Sequence, residues 1–168
     1  MLGPRMSQWF QRHGWASVHP DLLVGAGLFD ANDAAAVAAE GVTAVLNLME
    51  ESEYPAGSRL EVEIALDAYG IEERRIAITD FGGLGADHLE AAVSLLAGWL
   101  DTGERVYLHC RAGWQRSATV AAALIVLRED RPPEQALQVL AERKPTASPL
   151  PHQVRDLLSW WEQRRPRP

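Results

Sequence analysis

The sequence predicts a single α/β domain: a central sheet of about five mostly parallel strands flanked by helices. Three observations predict it. Short Val- and Leu-rich runs alternate with longer stretches of helical spacing. One such run, Val106-Tyr107-Leu108, passes directly into a glycine-containing loop and then an alanine-rich helix. The chain has 168 residues, 47% apolar and 23% charged, which suits one ordinary globular domain and not a disordered one.

Taken in order, residues 1–15 read as an N-terminal leader without the apolar core of a signal peptide. Residues 16–163 form the domain, and 164–168 a basic tail whose Arg164, Arg165 and Arg167 are expected to be solvated. Leu22 to Val24 and Thr43 to Leu48 read as short buried strands. Between them Asp30 to Asp33 precedes an alanine-rich helix that stops at Gly41. A helix from Arg59 to Tyr69 ends at Gly70, and Ile71 to Ile78 reads as a strand. Leu89, Ala92, Val93, Leu96, Trp99 and Leu100 then keep helical spacing, closed by Thr102-Gly103. Asp87 and Glu90 stand at capping-box spacing at its start. After Ser117 comes a helix buried on most sides. Pro132-Pro133-Glu134 opens another, and His152 to Gln163 is the last.

The formal net charge of −7 argues against nucleic acid as a partner, so an anionic substrate needs a local positive site. The longest apolar stretch, Ala118 to Leu127, is too short to span a bilayer. Cys110 is the single cysteine, so no internal disulfide can form, which favours a reducing compartment. A cytoplasmic location is expected. Any protection of oxidised Cys110 is expected through a backbone sulfenamide or an external thiol. The histidines at 13, 19, 88 and 152 lack ligand spacing, so no metal or cofactor is expected.

The chemistry concentrates between Val106 and Leu127. A buried strand ends at His109, a seven-residue loop runs from Cys110 to Arg116, and a helix starts at Ser117. Free amides at that helix start and in the loop make an anion site, and Gly113 lets the backbone curl so that they point inward. Arg116 adds a planar fork that matches two phosphate oxygens. The positive surroundings that bind phosphate also stabilise a thiolate, so Cys110 is a nucleophile aimed at phosphorus.

The segment His109-Cys110-Arg111-Ala112-Gly113-Trp114-Gln115-Arg116-Ser117 resembles the phosphate-binding loop of the protein tyrosine phosphatase superfamily, with glycine where the dual-specificity branch has one. Val24-Gly25, Gly41 to Leu48 and Lys144 to Trp161 are similar to other parts of that branch. The resemblance implies that Cys110 forms a cysteinyl-phosphate while Arg116 and the loop from Arg111 through Ala112, Gly113, Trp114 and Gln115 hold the phosphoryl oxygens. Asp80, thirty residues before Cys110, would protonate the leaving oxygen and then activate water. Ser117 would hydrogen-bond the sulfur. His109 and Asn47 would brace the loop.

Asp80 sits in a glycine-rich segment, whereas Asp87 is explained as a helix cap, which selects Asp80 as the acid. Ser117 also fits a helix N-cap. The tryptophans read as core or rim, except Trp114, which could wall a substrate ring; Gln115 stands where the family commonly has a small residue and Trp114 is bulky, and both bear on substrate entry. The expected substrate is phosphotyrosine, phosphoserine or phosphothreonine in protein. A phosphoinositide is disfavoured, because the loop offers Arg111 but no lysine; an inositol phosphate or another small phosphate ester stays open. Cleft depth is expected to depend on residues 50–59 and 81–85. Two other functions compete. A rhodanese-like sulfurtransferase has a similar loop, but with four residues between cysteine and arginine against five here. A phosphate-reading module that binds without turnover would typically have lost the cysteine, arginine or acid, and all three are present, which leaves a weakly active phosphate-binding module as the open alternative.

Overall fold

The computed structural model describes residues 5–166. Five strands form one sheet in the order β1-β2-β5-β3-β4. Strand β1 (Trp15–His19) pairs antiparallel with β2 (Leu22–Gly25). Strands β2, β5 (Val106–His109), β3 (Ala44–Asn47) and β4 (Glu72–Arg75) are mutually parallel. This is the expected sheet, with β1 as its antiparallel edge. The central strands β2, β3 and β5 are buried along their whole length, which is why they read as continuous apolar runs instead of alternating ones.

Alternate residues of those strands feed two cores. Leu22, Val24, Leu46 and Leu108 face α4 (Ala86–Asp101), α5 (Arg116–Glu129), α6 (Pro133–Arg143) and α7 (Pro151–Arg164). Leu23, Val45 and Tyr107 face α1 (Gln8–His13), α2 (Ala31–Ala39) and α3 (Ser58–Ala68). Helix α5 is buried from Arg116 to Val126. Its alanines allow close approach to the sheet, and every side chain in that stretch has a neighbour.

Several local expectations change. The segment read as a leader contains α1, whose Phe10 is buried against the Tyr107 ring, so the fold begins before residue 16. The N-cap of α4 is Gly85, not Asp87, which is exposed in the first turn. Glu90 does not reach back to cap; it accepts from Trp160 Nε1 at 2.9 Å and pairs with Arg164 at 2.5 Å, tying α4 to α7. Arg164 is therefore not a free tail residue. Arg165 lies over the Trp161 ring, and Arg167 falls outside the described residues. The strand expected from Ile71 to Ile78 shortens to four charged residues at an exposed edge, which suits an edge strand. No helix among the described residues is long and apolar enough to cross a membrane.

What the sheet does for function lies in its register. Gly25 and Asn47 both stand opposite His109. The segments that follow β2, β3 and β5 consequently emerge side by side at the carboxyl edge of the sheet, the edge where open α/β folds bind ligands.

Candidate active site

The loop after β5 forms the floor. Cys110 is 3% exposed, and its Sγ lies 3.2 Å from Ser117 Oγ in the first turn of α5. Helix α5 starts at Arg116 with Gln115 at the N-cap, so Ser117 stands inside the helix; its hydroxyl faces sulfur and does not cap. Among the described residues, no amide from Arg111 to Arg116 donates to a protein acceptor. Unpaired amides at a buried helix start require a ligand or water.

Gly113 has φ 78°, and a Cβ there would sit 2.7 Å from the Gly25 carbonyl. Only glycine allows both the left-handed turn and that approach. The loop is tied from outside as well. The Arg111 carbonyl accepts from Gly27 N at 2.9 Å and Trp9 Nε1 at 2.6 Å, and the Trp114 carbonyl accepts from Ser148 N at 2.6 Å.

Arg116 is 1% exposed and points back under the loop. Its Nη1 donates to Glu53 Oε2 and the Ile78 carbonyl, each at 2.8 Å. Its Nη2 donates to Glu53 Oε1 at 2.6 Å and lies 3.0 Å from Asp80 Oδ1. The bidentate pair fixes the guanidinium plane. Burial alone would push the Glu53 carboxyl up. The hydrogen bonds from Arg116 outweigh it, and the net shift is downward. Burial works against the charged form of Arg116 too, but Glu53 and the nearby thiolate position raise its pKa.

His109 is buried, and burial lowers its pKa to about 4, so it is neutral at physiological pH. Its Nδ1 lies 3.1 Å from the Cys110 carbonyl and braces the loop by a hydrogen bond, without a charge to lend the sulfur. Asn47 braces a different segment from the one expected. Its Oδ1 accepts from Met49 N and its Nδ2 donates to Tyr54 Oη, each at 2.8 Å. It thereby holds the turn Glu51–Glu53 that carries Glu53. Burial pushes the Tyr54 phenol up to about 12, so it stays a neutral partner.

A cavity of about 510 Å³ opens above Cys110. Asp80 and Phe81 line one side; Phe81 is 64% exposed and has φ 60°. Trp114, 40% exposed, lines another. The third wall is α1, whose Trp9, Arg12 and His13 share one face because they stand three and four residues apart. The His13 ring lies 4.2 Å from Trp9 and 5.2 Å from Trp114 between centroids.

The structure thus brings together Cys110, Arg116, Asp80 and Ser117, with Arg111, Ala112, Trp114 and Gln115 lining the cavity. Gly113 shapes the loop from below. Asp87 does not line the cavity, so position now selects Asp80, not the capping argument. Two contributors escaped the sequence reading: Glu53, which clamps Arg116, and α1, which walls the mouth. The arrangement suits attack of a buried sulfur on a tetrahedral anion held by inward amides.

The residues 28–163 match the family model described as dual specificity phosphatase, catalytic domain. Human phosphatidylglycerophosphatase and protein-tyrosine phosphatase 1 is 29% identical over 137 residues, which cover 80% of this chain and 64% of that relative. The chain thus spans less than two thirds of the human relative's length. The crystal structure of PTPMT1 superposes with a TM-score of 0.76 at 26% identity, covering 89% of this chain and 94% of that one. A second structure, PTPMT1 in complex with PI(5)P, gives 0.77 at 25% identity, covering 89% and 95%.

Proposed function

The chain belongs to the dual-specificity phosphatase family, and we propose that it hydrolyses phosphomonoesters through a cysteinyl-phosphate on Cys110. The observation that carries this is the sulfur lying 3.2 Å from Ser117 beneath a loop of unpaired amides, with Arg116 alongside. In the first step the Cys110 thiolate forms the S–P bond while the P–O bond to the leaving group breaks. Asp80, in its acid form, gives that oxygen its proton. In the second step water attacks phosphorus, its proton goes to the Asp80 carboxylate, and the S–P bond breaks to release inorganic phosphate and restore the thiolate. Amides and Arg116 stabilise the charge on the equatorial oxygens throughout. Ser117 donates to the departing sulfur.

The contact between Asp80 and Arg116 fits this sequence. An incoming phosphate competes for the same Nη2 and takes the place of the carboxylate, freeing Asp80 to turn toward the leaving oxygen.

As substrate we place a compact phosphate ester first. The cavity mouth carries Arg12 besides Arg111, which supplies the second cation that the loop alone lacks, and a structural relative has been solved with PI(5)P. Phosphotyrosine is the second reading, favoured by the aromatic walls Trp9, Phe81 and Trp114. Turnover of para-nitrophenyl phosphate, a phosphotyrosine peptide and PI(5)P by wild type and Cys110→Ser tests both. Hydrolysis that survives Cys110→Ser would remove the covalent mechanism, and the order of rates in wild type ranks the substrates.

A further inference from the structure

The arginines of this protein are mostly paired. Arg59, Arg74, Arg75, Arg105, Arg116, Arg128, Arg131, Arg143 and Arg164 all meet carboxylates. With acidic residues in excess, 23 against 16 basic ones, that is the expected state of a surface arginine. Arg5, Arg12, Arg111, Arg155 and Arg165 have no ion pair among the described residues, and of these only Arg12 and Arg111 line the cavity. Both are exposed, both line the cavity over Cys110, and neither forms a salt bridge among the described residues. Two unpaired guanidiniums at one mouth of an acidic protein are a local anion-attracting field.

Arg111 is held in place, and so is the helix that carries Arg12. Arg111 lies 5.3 Å over the Trp9 ring, while Trp9 Nε1 donates to the Arg111 carbonyl at 2.6 Å. Arg12 follows Trp9 by three residues on the same face of α1. The helix is anchored at its start by buried Asp33, which accepts from Ser7 N at 2.8 Å and Ser7 Oγ at 2.6 Å, and along its length by buried Phe10. Helix α1 lies outside the residues 28–163 matched by the family model, so the Arg12 side of the mouth is supplied from beyond that stretch.

We infer that Arg12 and Arg111 form a second anion subsite, which selects substrates carrying another phosphoryl group a few bonds from the scissile phosphomonoester. Arg116, clamped by Glu53, serves the reacting group, which takes the place of Asp80 at Nη2. The rim pair serves the neighbouring one. The ligand chemistry is a compact polyol or diol bisphosphate, free or as the headgroup of a lipid. This deepens the phosphomonoester reading and rests on it.

The test compares kcat/KM for alkanediol bisphosphates of three to six carbons with the matching monophosphates, and adds PI(5)P in mixed micelles. Wild type is expected to prefer the bisphosphate at one spacer length. Arg12→Gln should cut that preference ratio about tenfold, and Arg12→Glu further, as for loss of a charge-assisted contact. Arg155→Gln, at an exposed position of α7 that does not line the cavity, serves as the control. Dependence on Arg12 in the soluble series assigns a free ligand; dependence with PI(5)P alone assigns a headgroup; both support the subsite. A ratio that Arg12→Glu leaves unchanged in every arm overturns it. Absence of turnover on any phosphate by wild type would instead sink the phosphatase reading itself.

Discussion

The floor and the rim of the cavity both carry arginine, in opposite circumstances. On the floor, Arg116 is buried, held by both Glu53 oxygens and by the Ile78 carbonyl, and aimed before any ligand arrives. At the rim, Arg12 and Arg111 are exposed and without carboxylate partners among the described residues. A group that must stabilise developing charge gains most from being fixed in advance, because no reorganisation accompanies reaction. A group that selects among ligands needs a free valence. The difference separates chemistry from choice of substrate, and it says how mutations in the two regions should differ. Floor changes should depress every substrate alike, or according to its leaving group. Rim changes should reorder substrates.

The largest effect tests the floor. Cys110→Ser is expected to lower turnover by about 10⁴-fold or more on every substrate, while tungstate or phosphate still binds by calorimetry. Next comes Asp80→Asn, with a loss of about 10²–10⁴-fold for alkyl phosphates, whose leaving oxygens need a proton. Para-nitrophenyl phosphate should suffer much less. Equal losses for both would show that Asp80 acts through Arg116 and not on the leaving group. Glu53→Gln follows, with a loss of about 10²-fold in kcat on all substrates alike, because the guanidinium loses its clamp. That variant also leaves a buried charge half-compensated, so urea denaturation should show a stability loss of about 3 kcal/mol. A substrate-selective effect of Glu53→Gln would blur the distinction between floor and rim.

These residues differ in how far the sequence betrays them. Cys110, Gly113, Arg116 and Ser117 lie within eight consecutive positions on one strand-loop-helix unit, so local rules suffice. The parallel sheet was legible for the same reason, as buried strands show unbroken apolar runs. Glu53 was not. It sits in an acidic run where nothing local distinguishes it from Glu50 or Glu51, and its role follows only from the register that sets Asn47 beside His109. Helix α1 has six residues, too few to display an amphipathic period, and its ties are long-range: Trp9 to Arg111, Ser7 to Asp33. The capping box expected at Asp87 and Glu90 shows the reverse failure, a correct spacing overridden by the pairing of Glu90 with Trp160 and Arg164.

The neutral histidine under the loop supplies a floor prediction that involves no substrate. With a folded pKa of about 4 against an ordinary 6.5, His109 takes up a proton in the unfolded chain at pH values where the folded chain refuses it. Stability must therefore fall as pH drops through that window. Between pH 7 and pH 5 the loss should reach roughly 2 kcal/mol. His13, whose pKa burial and Arg12 also lower, adds to it in the same sense. Glu53 contributes only below this range, since its pKa is depressed below 4.5 and its stabilisation is lost later in the acid direction. Urea midpoints of wild type and His109→Gln at the two pH values separate these groups. A slope unchanged by His109→Gln would mean that the imidazole titrates normally.

The smallest effect tests whether the rim is held or loose. Trp9 makes two contacts to the same residue: its indole nitrogen donates to the Arg111 carbonyl at 2.6 Å, and its ring lies under the Arg111 guanidinium. Trp9→Phe keeps a ring for the cation and removes the donor. One neutral hydrogen bond at an exposed site contributes about 0.5–1.5 kcal/mol, and Gly27 N still satisfies the carbonyl. The expected result is a two- to threefold rise in KM for two-anion substrates, with kcat unchanged because Arg116 and Cys110 keep their own supports. Trp9→Ala, which also removes the ring beneath Arg111, should raise that KM further and again spare kcat. If either variant lowered kcat as strongly as Glu53→Gln does, the indole would be holding the phosphate loop itself, and α1 would belong to the floor.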